Sequence, residues 1–584
     1  MSYTIGLATM DNSAAALFHN GTLLAAVEEE RLSRIKNDGA FPHLAIQECL
    51  RIADIAPEAI SHVAIYWQPW RMGTRALGVL KKATSSARAR KAVWSRARQM
   101  MLRDRNNTVA DVSGSWSDLF RIRKVLKPHF GDHKPEISFH DHHLCHQLYA
   151  ERMRDWDDIV SLSYDGGGEV ASTVLSVVRG GKREQISLHH WPNSLGHFYS
   201  FFTGYLGFKM LEGEYKMMGL APYGKPVYAE ALQDHILQLL PGGRYHLNTK
   251  LADYHAALKG EFASELHPLF GPPRAPGEEP SEAHVNLAAS VQHVHEQALM
   301  HLLEPARAKH PELKRLVISG GCALNVTANG RLLSDGVFEE IMIPPAPHDA
   351  GCAIGAGLAR LSDAGVAADP VPLRSPYLGA EFGTDAIITA AKQVCATLPT
   401  PLDDASLVDE TAKLLDKGLV VAWFQGRVEF GPRALGARSF LADPRRDGIR
   451  EELNQKIKKR ELFRPFAPSV TMEAAADFFE IDQPSPYMNI VAKVRDARRN
   501  DIPAVTHTDQ TARVHSVSAL ANPLYHALLT RFGELTGVPV LLNTSFNIQE
   551  PIVYSPKDAL ATFKASGVDA LVIGPYVLRR EHLV

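Results

Sequence analysis

Apolar residues along this chain fall into two rhythms. Near the start, short apolar runs cover residues 3–9, 14–19 and 22–27, with a polar turn over residues 8–13 and the pair Asn20-Gly21 between the last two runs. Asn-Gly between such runs predicts a β-hairpin, because both turn positions need positive φ. Residues 157–181 repeat the theme as paired strands around Asp165-Gly166-Gly167-Gly168. The rhythm then lengthens to a helical one over 286–306, after the Pro/Gly/Glu-rich surface loop 271–282. A buried strand follows at 315–319, ending on Gly320-Gly321. Residues 366–376, polar and proline-rich, mark a linker between domains at 1–365 and 377–584. Beyond it, strands at 419–423, 538–542 and 570–573 alternate with helical segments. The fold class is α/β, and no short-period repeat is evident.

Composition narrows the partners. Apolar residues are 45% of the chain and the net charge is −2, which favours a globular protein with neither nucleic acid nor membrane as main partner. The five cysteines are odd in number and widely spaced, with no C-x-x-C, as expected of reduced thiols in the cytoplasm. No basic segment followed by an apolar stretch opens the chain, so no secretory leader is expected. No apolar run is long enough for a membrane span. Residues 71–105 hold eleven Lys/Arg and one acid. This predicts a solvated amphipathic helix or an insertion; a basic rim over an anionic ligand is the sharper alternative.

Candidate chemistry is densest in His140-Asp-His142-His143-Leu-Cys-His146. On a helix, His142 and His146 lie one turn apart and can grip one divalent metal; His143 with His146 is the alternative pair. Asp349, ahead of the small-residue run Gly351–Gly357, is a third ligand or a helix cap. The turns at Gly320-Gly321 and Asp165-Gly166 suit a nucleotide phosphate, and the second also suits a metal-bound water. A polar turn between strands, an acid-glycine turn and a Gly-Gly turn, in that order, are the arrangement of actin-like and sugar-kinase-like ATPases.

In the later half, residues 426–439 pack three arginines among glycines, and Arg464 stands beside proline. Lys458, Arg513 and Ser545 lie in other stiff or polar segments. Clustered guanidinium groups with hydroxyls suit a phosphate-rich ligand. There is no P-loop, G-x-S-x-G or zinc-type cysteine pattern.

These stretches resemble the O-carbamoyltransferases of the NodU and tobramycin type along nearly the whole chain. The resemblance rests on Glu28–Lys36, His142–His146, Gly213–Gly224, Ser319–Asn325, His348–Gly351, Glu429–Gly436, Phe463–Pro468 and Asn543–Asn547. It implies an N-terminal actin-like (ASKHA) domain, similar to that of tRNA threonylcarbamoyl-transfer enzymes, and a C-terminal YrdC-like carbamoyl-adenylate synthase. It implies ATP and carbamoyl phosphate as substrates, with magnesium accompanying ATP, and a small hydroxylated acceptor. By motif position, His142, His146 and Asp349 match metal ligands, with iron(II) or a substitute as the ion. Arg433, Lys458, Arg464, Arg513 and Ser545 match carbamoyl phosphate and ATP contacts, and Lys36 matches a lysine near the transfer site. Ser13, Gly166, Lys216, Gly320, Gly321 and Asn325 are candidates for holding the nucleotide or carbamoyl-adenylate in the first domain. Two positions depart from the pattern: Met10 where the family usually has His, and His515 where it tends to have Gln.

Asp11, Asp165 and His143 are candidates for the general base that accepts the acceptor's hydroxyl proton. The expected activity is ATP-dependent transfer of a carbamoyl group to a small-molecule hydroxyl. The alternatives are a catalytically silent actin-like nucleotide-binding protein and a tRNA-modifying enzyme, the latter needing a basic surface such as 71–105.

Overall fold

The computed structural model describes residues 2–73, 90 and 116–583. Apart from residues 71–73 and 90, the basic stretch 71–105 lies outside the described residues. The chain forms two compact units. One holds Met1–Glu29 and Asn37–Arg374; the other holds Glu30–Lys36 and Ser375–Val584.

The first unit is built on two sheets with matching strand order. In the first sheet, β1 (Tyr3–Ala8), β2 (Ala14–His19) and β3 (Thr22–Glu28) form an antiparallel meander. Then β4 (Ile60–Ile65) and β5 (Glu136–Phe139) add in parallel beyond β1, giving the order β3-β2-β1-β4-β5. The turn into β3 uses Asn20 at φ 49° and Gly21 at φ 91°, as the hairpin reading requires.

The second sheet repeats this plan. Its meander is β6 (Asp158–Tyr164), β7 (Ala171–Arg179) and β8 (Lys182–His190). After a small hairpin, β9 (Leu237–Leu240) and β10 (Arg244–Leu247), β11 (Arg315–Ser319) and β12 (Glu340–Met342) add in parallel beyond β6. The order is β12-β11-β6-β7-β8. Central strands such as β1, β2, β6 and β7 are buried almost throughout, so they read as continuous apolar runs rather than alternating ones.

The long helix predicted over 286–306 runs instead from Glu282 to Lys309. Its start moves earlier because Ser281 caps it: the hydroxyl accepts the His284 N–H at 3.4 Å, and the His284 ring accepts the Ser281 N–H at 3.1 Å.

The second unit carries one eight-stranded sheet. Its strands are β13 (Val421–Phe424), β14 (Arg438–Ala442), β15 (Ala467–Thr471), β16 (Ile490–Lys493), β17 (Thr511–Val517), β18 (Val540–Ser545), β19 (Ala570–Ile573) and β20 (Tyr576–Arg579). Their order is β16-β17-β15-β18-β14-β13-β19-β20. The strand predicted over 538–542 is displaced to Val540–Ser545, since Pro539 has no N–H for a ladder. Helices Asp404–Asp416 and Pro523–Thr536 contribute Leu414, Leu415, Tyr525 and Phe532 to a core with Trp423 and Leu541.

Glu30–Lys36 comes from early sequence yet belongs to this later unit. The Arg31 guanidinium donates to the Gly431 carbonyl at 2.6 Å. The Arg34 guanidinium donates to the carbonyls of Pro551 at 2.6 Å and Ile552 at 2.7 Å.

Candidate functional site

In the first unit, a pocket of nitrogen and oxygen donors forms where two helices meet the end of β6. Asp141 starts one helix, His142–Glu151, by accepting the Leu144 N–H at 3.1 Å. This fixes His142 and His146 one turn apart, with ring centroids 4.7 Å from each other. The other helix, Gly351–Asp363, packs directly on the first: a Cβ at Gly355 would stand 2.0 Å from the Cys145 carbonyl oxygen. Only a glycine permits that approach, which brings Asp349 beside the imidazoles.

Asp349 is not the cap of its helix; that place is taken by Ala350. Its Oδ2 lies 3.1 Å from the Tyr66 hydroxyl, which also bonds the Thr9 carbonyl. Its Oδ1 is 3.5 Å from His146 Nε2 and 4.0 Å from His142 Nε2. Asp165, just past β6, is the fourth member: its Oδ2 is 3.5 Å from His142 Nε2, while its Oδ1 accepts the Gly321 N–H at 2.6 Å. Gly320 makes that turn possible, standing at φ 91° with the Tyr164 carbonyl 2.1 Å from where a Cβ would be.

One donor atom from each of His142, His146, Asp165 and Asp349 falls within 4.8 Å of the others. His142 is fully buried and His146 is 2% exposed. Among the described residues, neither ring nitrogen of His142, nor Nε2 of His146, has a hydrogen-bond partner. Buried, unbonded imidazole nitrogens facing two carboxylates fit a divalent cation. The electrostatics agree. Burial holds the His142 pKa down, but Asp349 and Asp165 outweigh it and lift it to about 9, so the pocket favours a positive charge. Burial pushes the Asp165 carboxyl up, and His142 and His146 more than reverse this, leaving it well below the usual range. Glu169, 1% exposed, anchors the start of the histidine helix: its carboxylate accepts the N–H groups of Gln68 at 2.8 Å and His142 at 3.3 Å.

The other residues singled out in this unit fall in different settings. His143 is bonded on both ring nitrogens, to the Ser163 hydroxyl at 2.8 Å and the Ala171 carbonyl at 3.0 Å, and burial lowers its pKa to about 4. Asp11 is exposed in the β1–β2 turn, close enough to raise the Tyr66 pKa. Met10 is buried there at φ 90°, and the Ser13 hydroxyl is buried without a partner among the described residues. Gly166 lies under the His197 ring, and Lys216 is half-buried on the helix Glu214–Leu220. Asn325 caps the helix Val326–Ser334 and exchanges two hydrogen bonds with Gln292, so its side chain holds the fold. Sequence reasoning placed Asp165 among bases and in a turn suited to a phosphate or a metal-bound water, and missed Tyr66 and Glu169. A strand-end acid followed by three glycines was the signal available for Asp165.

The second unit gathers positive charge. Glu429 organises the loop to β14: its Oε1 accepts the N–H groups of Leu435 at 2.9 Å, Ala437 at 2.8 Å and Arg438 at 3.0 Å. Two of the loop's three arginines are structural. Arg438 is fully buried, donates to the carbonyls of Gln425, Gly426 and Ala437, and stacks 3.6 Å from the Phe424 centroid. Arg427 donates to the carbonyls of Leu378 and Gly379. Arg433 belongs to a different group. Burial depresses the Arg513 pKa well below its usual value, and Arg433, Arg460 and Arg464 all push it further down. Arg460 was not singled out from the sequence.

Lys458, 1% exposed, is held by Ser545 and Asn547: its ammonium donates to their carbonyls at 2.5 and 2.9 Å and to the Asn547 Oδ1 at 2.8 Å, with Ser545 Oγ at 3.2 Å. Burial lowers its pKa well below the lysine range, and Arg460, Arg464 and Lys36 add to the effect. Lys36, matched by position to the transfer site, thus lies in the electrostatic field of the second unit's cluster. Like charges crowd together this way where an anion compensates them.

Comparison with known proteins now places the chain. Residues 4–358 match the family signature described as the carbamoyltransferase N-terminus, and residues 412–580 that of the carbamoyltransferase C-terminus. The chain belongs to the carbamoyltransferase family, and it is a transferase enzyme. An uncharacterized protein of a Synechocystis species is 38% identical, covering 99% of this chain and 97% of its own. Nodulation protein NolNO of Sinorhizobium fredii is 36% identical over 98% of this chain and 79% of its own. The 3'-hydroxymethylcephem-O-carbamoyltransferase of Amycolatopsis lactamdurans is 34% identical over 62% of this chain and 63% of its own. No helix among the described residues is long and apolar enough to cross a membrane.

Proposed function

We propose that this protein transfers a carbamoyl group to a hydroxyl of a small molecule, using ATP and carbamoyl phosphate. The cephem O-carbamoyltransferase supports the choice of a hydroxyl acceptor. The observation that carries the reading is that the chain of a carbamoyltransferase holds two unlike charged clusters, one of basic groups around Arg513 and one of imidazoles and carboxylates whose donor atoms lie within 4.8 Å of one another. The first unit is read as actin-like; its two sheets of matching order support this. The second is read as a YrdC-like carbamoyl-adenylate synthase, with Arg433, Lys458, Arg464, Arg513 and Ser545 as the donor and ATP site.

Atom balance sets the order of bond changes. Water cleaves carbamoyl phosphate to carbamate and phosphate. A carbamate oxygen then attacks the α-phosphorus of ATP, and pyrophosphate leaves. The acceptor oxygen finally attacks the carbamoyl carbon, AMP leaves, and the hydroxyl proton passes to a base. Guanidinium groups of the second unit neutralise the phosphates, which otherwise repel each other, and a magnesium ion with ATP adds to this. Lys458, its amine directed to Ser545 and Asn547, holds that turn in shape. In the first unit, His142, His146, Asp165 and Asp349 would hold a divalent cation; iron(II) suits this nitrogen and oxygen set. When bound, the ion supplies Lewis-acid polarisation of a carbamoyl or phosphate oxygen. Tyr66 fixes the Asp349 carboxylate, and Gly321 fixes that of Asp165. Asp11 is proposed as the proton acceptor, because His143 is bonded on both nitrogens and Asp165 faces His142. Ser13, Gly166, Lys216, Gly320 and Gly321 are proposed to line the adenylate.

The test separates the halves. Pyrophosphate release from ATP should depend on carbamoyl phosphate and need no acceptor. Arg464→Ala should abolish it, whereas His142→Ala should spare it and block transfer. Loss of both activities in both folded variants would refute the division.

A further inference from the structure

Cys352 stands three residues after Asp349, in the first turn of the helix Gly351–Asp363, and is completely buried. One donor atom each of His142, His146 and Cys352 lies within 4.8 Å of the others. The Sγ faces the His142 carbonyl at 4.0 Å, a weak contact that leaves the sulfur able to take a stronger partner. Among the described residues both His142 nitrogens and His146 Nε2 lack a hydrogen bond, while the two Nε2 atoms face the Asp165 and Asp349 carboxylates at 3.5 Å.

We infer that His142, His146 and Cys352 form a second, softer coordination set for thiophilic divalent cations, Cd2+ or Zn2+, sharing its two imidazoles with the carboxylate set. Ligand softness separates the two: thiolate and imidazole suit Cd2+ and Zn2+, whereas carboxylates suit harder ions such as Mn2+. On binding, the thiol S–H bond breaks, a sulfur–metal bond forms, and the proton passes to water. The pocket is therefore sensitive to soft metals, which bind on the sulfur side and take both histidines with them. This inference rests on the reading of His142 and His146 as metal ligands.

The probe is Cd2+ titrated into metal-free full-length protein, read by the ultraviolet sulfur-to-cadmium charge-transfer band, with Mn2+ binding followed separately by electron paramagnetic resonance. Wild type should show the band with one Cd2+ bound, and X-ray absorption at the cadmium edge should find a sulfur neighbour. Cys352→Ser and Cys352→Ala should lose the band, weaken Cd2+ about tenfold or more, and still bind Mn2+, which shows the pocket intact. Cys322→Ser and Cys145→Ala should keep the band. Asp349→Asn should lose Mn2+ binding and keep the sulfur-to-cadmium band. A band that persists in both Cys352 variants, or cadmium with no sulfur neighbour, overturns the inference. Wild type that binds Cd2+ with the band but no Mn2+ leaves the inference standing and counts against the carboxylate set of the proposed function.

Discussion

The Asp165 carboxylate accepts the Gly321 N–H at 2.6 Å through one oxygen and faces His142 Nε2 at 3.5 Å through the other. One side chain therefore fixes a glycine turn and completes the donor pocket. Asp165→Asn can keep the first role, because the amide oxygen still accepts, and loses the second. It should fold with an unfolding midpoint close to wild type yet bind Mn2+ about 10–100-fold more weakly, the range seen when groups around a metal are altered. Asp165→Ala should lose the turn as well and unfold at lower temperature. Isothermal titration with Mn2+ beside a thermal melt decides it; unchanged affinity in the Asn variant would remove Asp165 from the donor set.

Glu429 is the template of the Arg433 loop. Three backbone N–H groups converge on its Oε1, and the residue is 4% exposed. Removing the carboxylate leaves three buried donors without an acceptor, each costing about 1–3 kcal/mol. Glu429→Ala should therefore destabilise the protein by at least about 3 kcal/mol and abolish phosphate and pyrophosphate binding. Glu429→Gln keeps one acceptor oxygen and should retain most of both. Urea melts with anion titrations separate the cases. Equal behaviour of the two variants would mean that the loop does not depend on this acceptor.

How far the chain could be read in advance follows from the range of the forces involved. His142 and His146 are four residues apart on one helix, so their pairing was legible from spacing. The Asn20-Gly21 turn was equally local. Asp165 joins them through sheet pairing and a glycine contact that no spacing reveals. The matched strand orders of the two sheets left no sequence repeat, because topology is preserved by burial pattern and not by identity. In the Arg-rich loop, charge alone could not separate Arg433 from Arg427 and Arg438, whose guanidinium groups are consumed by main-chain carbonyls. The same holds for Lys36: its place with the second unit is set by Arg31 and Arg34 gripping carbonyls about four to five hundred residues away in sequence.

Arg513 sits among Arg433, Arg460 and Arg464, each of which disfavours its charge. Without an anion this crowding opposes folding; with one it becomes binding energy. Pyrophosphate or ATP at a hundred times its dissociation constant should stabilise wild type by about 2.7 kcal/mol. Arg513→Gln should leave the ligand-free protein at least as stable as wild type, since one of the crowded charges is gone, and should lose most of the anion-induced shift. Differential scanning fluorimetry with and without pyrophosphate tests both halves. A variant that melts earlier alone yet shifts as far with ligand would show that Arg513 is a structural brace.

His515 gives the second unit an acid sensitivity. Its ring is 2% exposed, its Nδ1 lies 2.7 Å from the Ser469 hydroxyl, and burial lowers its pKa from 6.5 to about 3. The folded state thus keeps the ring neutral where the unfolded chain protonates it. Below pH 6.5 the unfolded state binds the extra proton, so this contribution to stability is fully present above 6.5 and lost as pH falls toward 3. At about pH 5 the loss is on the order of 2 kcal/mol. Gln has nothing to titrate. His515→Gln should therefore narrow the drop in unfolding midpoint between neutral and mildly acidic buffer. His507, with a pKa of about 4 in the same unit, should preserve part of the slope in both proteins. Melts across that range, compared as the difference between variant and wild type, read out His515 alone; parallel curves would mean that its ring is protonated as readily in the fold as outside it.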